Sequence, residues 1–192
     1  MTMWSLIRHR LTTSIATEPL EELWSHGATE EPDPLLVQWK QTICRGPFFG
    51  SLHIRHVDTG SCNACEWELT ALLNPIYDAQ RLGIDFVASP RHADILVVTG
   101  GVTRNLAQAL ELTHEATPNP KAVLAIGACA CGTGLLGQTY AQRGTALDSG
   151  IPVLVTVAGC PPTPPEILRG LLHIMTILNQ GGLTHGHGTT AI

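Results

Sequence analysis

At 192 residues and 44% hydrophobic content the chain can bury one proper core, yet only 14% of it is charged, against about a quarter in an average globular chain. A net charge of −5 gives no reason to expect nucleic acid, and no apolar run reaches the roughly 18 residues that read as a membrane span. So few charges leave much of the surface to be covered by partner subunits. The opening residues, Met1 to Arg10, lack a signal peptide's apolar core and contain no twin-arginine pair. The chain is therefore expected in the cytoplasm, a reducing compartment where cysteines of a six-cysteine chain serve as ligands in preference to disulfides.

In chain order, residues 1–47 read as an extension. Trp4, Leu6, Ile7, Leu11 and Ile15 share one side of a short helix, with Arg8, His9 and Arg10 among them. Such a stretch suits a membrane surface or a partner helix, or a frayed terminus. Pro32 and Pro34 break it. Cys44 has no partner at ligand spacing and reads as a free, buried thiol. The core domain starts near Phe48. Leu52 to Val57 alternates as a strand, with Leu52, Ile54 and His56 on one face and His53, Arg55 and Val57 on the other. It feeds the turn Gly60-Ser61-Cys62-Asn63-Ala64-Cys65. A helical pattern follows from Glu66 to Ala79, bent or shortened by Pro75.

Ile84 to Ala88 is a second strand. Ala93 to Thr99 and Ala122 to Gly127 are near-continuous apolar runs, as expected for strands covered on both faces. Thr103 is placed to cap a helix from Arg104 to Ala116. Residues 132–150 are rich in Gly and Thr and are expected to wrap the site. Ile151 to Val157 is the last strand. The last helix starts after Thr163, with Pro164 in its first turn, and runs to Gly181. Residues 183–192, with His185 and His187, read as a flexible tail. Strands alternating with helices make an α/β fold, a parallel sheet with helices on both faces.

The cysteines fall after strands: Cys62 and Cys65 after the first, Cys129 in Gly127-Ala128-Cys129-Ala130, and Cys160 in Gly159-Cys160-Pro161-Pro162. Four thiolates delivered to one sheet edge hold an iron–sulfur cube or a zinc ion. Zinc ribbons show two close Cys-x-x-Cys pairs; only one pair is close here, which favours the cube. Cys131 lies two positions after Cys129 and reads as either ligand or bystander. Cys129 is taken as the ligand because it directly follows Ile126-Gly127-Ala128.

On these segments, together with Ser89-Pro90-Arg91-His92-Ala93-Asp94-Ile95-Leu96 and Gly159-Cys160-Pro161-Pro162-Thr163-Pro164, the sequence resembles the small subunit of [NiFe] hydrogenases and the related B-type quinone-reductase subunit of respiratory complex I. The matching covers roughly residues 48–178. The resemblance implies a flavodoxin-like domain over 48–182 holding one [4Fe–4S] cluster on Cys62, Cys65, Cys129 and Cys160. Complex I subunits place adjacent cysteines at the first position, whereas Asn63 and Ala64 separate them here, as in the hydrogenase branch. The resemblance is greatest to the compact small subunit of membrane-bound, energy-converting hydrogenases of formate-hydrogenlyase type.

What it implies is an electron-transfer subunit of an oxidoreductase. Its Ni–Fe centre lies on a partner large subunit, with a ferredoxin-type iron–sulfur subunit and integral membrane subunits as further partners. The complex would sit on the inner face of the cell membrane. The alternative is a complex-I-like subunit serving a quinone or another carrier without nickel chemistry. Glu68 stands where related subunits carry a glutamate and is a candidate proton relay. Glu66 and Glu68 alike also suit the first turn of a helix simply as acids. His53, Arg55 and His56, on the strand leading into the cysteine turn, read as core or interface residues.

Overall fold

Strict alternation along the buried strands sends their side chains into two separate cores, and this builds the sheet. The computed structural model describes residues 51–134, 139–179 and 190–191, all within one compact unit, Trp39–Ile192. The expected N-terminal helix, Cys44 and the tail histidines lie outside the described residues. Strand β1 is Leu52–Asp58, followed by helix α1, Ala64–Ala71. Next come β2 (Ile84–Phe86), β3 (Ile95–Thr99), the short β4 (Val102–Thr103), α2 (Ala107–Ala116) and β5 (Ala122–Ile126). Then follow α3 (Ala128–Cys131), β6 (Gln142–Gly144), β7 (Val155–Val157), α4 (Pro164–Asn179) and β8 (Thr190–Ala191).

The main sheet runs β2-β1-β3-β5-β7-β8 and is parallel throughout. Leaving aside the two-residue β8, that is the flavodoxin order, with its reversal between β1 and β3. The fold is therefore the expected α/β one. β8 falls in the stretch read as a tail: Thr190 and Ala191 pair along the β7 edge.

On one face Leu52, Ile54, Ile95, Val97, Leu124, Ile126, Val155 and Val157 pack against Leu69 and Leu72 of the α1 segment and Ile167, Leu171, Ile174 and Met175 of α4. On the other, Val57, Leu96, Val98, Val123 and Ala125 meet Ala107 and Leu110 of α2, Ala130 of α3 and the segment Ala146 to Val153. β3 and β5 are buried at every position, which explains their unbroken apolar sequence. Ile174 is fully buried, so Ile174→Ala is expected to cost roughly 2–5 kcal/mol in urea unfolding, from lost transfer energy and the cavity left behind.

Several boundaries differ from the expectation. α1 ends at Ala71, not Ala79. Pro75 has no N–H to donate, and Asn74 instead closes a turn, its Oδ1 accepting from the amides of Ile76 and Tyr77 at 2.9 and 3.0 Å. α2 starts at Ala107 because Thr103 is taken up in β4, which pairs antiparallel with β6. β2 stops at Phe86, and only the last three residues of the final strand, Val155–Val157, join the ladder. α4 begins as expected, behind a capping box in which Glu166 Oε2 accepts from the Thr163 amide at 2.7 Å and from its hydroxyl at 2.8 Å.

Candidate functional site

Parallel pairing puts the C-terminal ends of β1, β5 and β7 on one edge of the sheet, on either side of β3. The loops leaving those three ends carry Cys62 and Cys65, Cys129, and Cys160. Each loop is held by bonds that involve no sulfur. After β1, Asp58 Oδ1 accepts from the amides of Gly60 and Ser61, both at 2.8 Å. Ser61 Oγ accepts from the Asn63 amide at 3.1 Å, and Asn63 takes a left-handed φ of 69° to start α1. After β5, the Gly127 amide donates to Val157 O at 2.9 Å and the Ala128 amide to Gly159 O at 2.7 Å. The second and third cysteine loops are thereby joined backbone to backbone. The Cys160–Pro161 peptide is cis.

Cys62 and Cys160 are exposed, while Cys65, Cys129 and Cys131 are half-buried. Burial pushes the Cys65 thiol up to about 12, with further upward contributions from Glu66, Cys62, Cys129 and Cys160. The other three predicted ligands thus lie near enough to act on it electrostatically. Cys131 is not among the groups that act on Cys65. Burial raises it to about 11, and of the other sulfurs only Cys129 acts on it. Its thiol points back to the carbonyls of Ala125 and Val157, at 3.9 and 3.8 Å, and packs on the second core.

The donor chemistry fits an iron–sulfur cluster: four thiols, three neighbouring loops, one edge. Backbone space fits as well. A Cβ at Gly127 would stand 2.4 Å from Cys65 Sγ, and one at Gly159 would stand 2.5 Å from Pro162 Cα. Among the described residues no three His, Cys, Asp or Glu side chains gather closely enough to hold a single metal ion. In the cluster-free chain, iodoacetamide is expected to alkylate exposed Cys62 and Cys160 before Cys65 and Cys131, as peptide mapping over time would show.

The carboxylate embedded beside these cysteines is Glu66. Ser61 Oγ donates to its Oε2 at 2.7 Å and Thr99 Oγ1 donates to its Oε1. His56 Nε2 lies 2.8 Å from Thr99 Oγ1 and 3.6 Å from Glu66 Oε1. Burial holds His56 below the usual imidazole range despite the nearby carboxylates, so this approach is not an ion pair at neutral pH. Glu68, the predicted relay, is half-buried on α1, and its side chain makes no hydrogen bond or ion pair with a described residue. Ser61 and Thr99 are not legible as site residues from the sequence. The available signal was a lone hydroxyl, Thr99, closing an otherwise apolar buried strand. Of the strand residues weighed with His56, His53 pairs with Asp94 through Nδ1 at 3.3 Å, and Arg55 Nη1 donates to Ala88 O at 2.8 Å. Both partners lie away from the cysteine loops in sequence.

Comparison with known proteins places this arrangement. The family described as "NADH ubiquinone oxidoreductase, 20 Kd subunit" matches residues 62–174, more than half of the chain. The chain is 50% identical over 117 residues to a probable membrane-bound hydrogenase subunit of Pyrococcus furiosus, covering 61% of this chain and 70% of that one. It is 41% identical over 138 residues to formate hydrogenlyase subunit 7 of Escherichia coli, covering 72% of this chain but only 54% of the relative. Among solved structures, it superposes with TM-score 0.60 and 32% identity on a chain of the membrane-bound sulfane sulfur reductase, an archaeal respiratory membrane complex, covering 77% of each. The chain belongs to the family of the 20 kDa subunit of NADH ubiquinone oxidoreductase, whose members are subunits of oxidoreductase complexes.

Proposed function

We propose that this chain is the electron-transfer small subunit of a membrane-bound [NiFe] hydrogenase. Cys62, Cys65, Cys129 and Cys160 would hold one [4Fe–4S] cluster between a Ni–Fe large subunit and a ferredoxin-type subunit. The observation that carries the reading is that the loops bearing those four cysteines leave β1, β5 and β7 at one edge of the parallel sheet. When bound, such a cluster takes up and gives back one electron at a time. The chain's own part is to hold and tune it: thiolates as ligands, glycines that keep side chains off it, and Glu66 beside Cys65.

Partner coverage is supported by the surface around α1. Trp67, Leu73 and Ile76, within ten residues of one another, are 72%, 45% and 81% exposed, an apolar surface that a partner would cover. Among the described residues no helix is long and apolar enough to cross a membrane. A peripheral place on the inner face of the membrane, anchored through integral subunits, agrees with the membrane-bound relatives. Glu68 would be the proton-relay candidate on the large-subunit side.

A complex-I-like or sulfur-reducing role without nickel is the second reading, favoured by the likeness to the sulfane sulfur reductase chain. One experiment separates the two: purification of the intact complex with nickel and iron counted per small subunit. Stoichiometric nickel, with paired Cys-x-x-Cys motifs in the large partner, supports the hydrogenase. Iron without nickel transfers the chain to the second reading, and neither metal overturns both.

A further inference from the structure

The hydrogen-bond chain behind Cys65 has a direction that proton counting settles. Thr99 carries one hydroxyl hydrogen, and it goes to Glu66 Oε1. The contact from His56 Nε2 to Thr99 Oγ1, 2.8 Å long, must then be an N–H donated to the hydroxyl oxygen. That fixes the His56 tautomer and leaves the Thr99 hydrogen aimed at the carboxylate. Ser61 supplies the second hydroxyl, to Oε2 at 2.7 Å. Both Glu66 oxygens thus accept from hydroxyl donors, one on each side of the carboxyl group.

The three anchors come from different places. His56 lies on β1, Thr99 ends β3, and Ser61 belongs to the cysteine loop itself. Thr99 is fully buried, and its backbone is held too, its carbonyl accepting from the Thr59 amide at 3.0 Å and the Thr59 hydroxyl at 2.8 Å. The hydroxyl therefore has little freedom to turn elsewhere.

We infer that Thr99 is a positioning residue: with its hydroxyl oriented by His56, it clamps the Glu66 carboxylate beside Cys65, and the clamped charge holds the cluster's reduction potential down. This deepens the cluster reading and rests on it. A fixed negative charge beside a cluster disfavours the added electron, because net charge and local hydrogen bonding set the potential. Among the described residues the Thr99 hydroxyl bonds to Glu66 and His56, and to no cysteine sulfur.

The test is an EPR-monitored redox titration of the intact complex carrying E66Q, T99V, T99S or E66Q with T99V, with iron counted in each. E66Q keeps the side-chain shape and removes the charge. Its reduction equilibrium is expected to shift about tenfold toward the reduced form, or about 59 mV for one electron. T99V should shift the same way by a smaller factor, as the carboxylate swings out to water. T99S should restore the wild-type value. The double variant should match E66Q alone, since Thr99 has nothing left to position.

An E66Q complex with full iron and an unmoved potential would overturn the inference and leave the cluster reading standing. So would a T99V shift that adds in full to that of E66Q, or a T99S complex that behaves like T99V. A wild-type complex without cluster iron would overturn the inference together with the reading beneath it. If T99V loses its iron, E66Q and T99S still decide.

Discussion

Cys65→Ser is expected to remove most of the cluster iron from the purified complex, from about four atoms per chain toward none, while Cys131→Ser leaves it unchanged. The two thiols look alike by burial, and both are pushed well above the ordinary cysteine range. Their surroundings separate them. Cys65 is acted on by three other cysteines, two of them from further loops, whereas Cys131 is turned into backbone carbonyls of β5 and β7. Serine offers a harder oxygen that is poorly ionised at neutral pH, so one soft ligand is lost. Cys62→Ser, Cys129→Ser and Cys160→Ser should follow Cys65→Ser. Acid-labile sulfide and iron analysis on each variant is the check, and an equal loss from Cys131→Ser would dissolve the ligand assignment.

Gly127→Ala is expected to damage the centre nearly as much without touching a ligand. Gly127 has φ 92° and ψ 151°, a region open in practice to glycine alone, so any side chain there costs roughly 1–3 kcal/mol. The added Cβ would also stand 2.4 Å from Cys65 Sγ. Either the sulfur moves off its position or the β5 loop moves, and that loop is hooked to β7 through Val157 and Gly159. Gly150→Ala is the matched control. Its φ is 78°, but nothing lies within 4 Å of the added carbon, so it bears the backbone cost alone. Gly127→Ala should lose cluster iron and thermal stability together, and Gly150→Ala should lose about 1 kcal/mol with iron intact. Full iron in Gly127→Ala would show that the close approach has no bearing on the site.

The sheet could be read from the chain because its centre is chemically uniform. Ile95 to Val98 and Ala122 to Ile126 are apolar at every position, and only strands buried on both faces need that. The cysteine positions followed, since parallel strands send their following loops to one edge. Less visible was anything decided by side-chain direction. Glu66 and Glu68 lie two residues apart, about 200° around a helix, so they cannot serve the same side. Spacing alone does not say which of them meets the turn. The hydroxyls that select Glu66 come from Ser61 and from Thr99, thirty-three residues further on, and that meeting exists only once β1 and β3 have paired. The shortening of α1 was legible in Pro75, but its exact stop at Ala71 was not, because the turn closed by Asn74 just before the proline is a side-chain matter and apolar residues at helical spacing continue beyond it.

The two main-chain bonds joining the Cys129 and Cys160 loops have a kinetic consequence. Because neither uses a sulfur atom, the frame around the proposed cofactor does not depend on the charge that cofactor carries at a given moment. Were the proposed cluster held there, an arriving or leaving electron would leave these two bonds in place, and a frame that need not resettle is what a one-electron carrier would require.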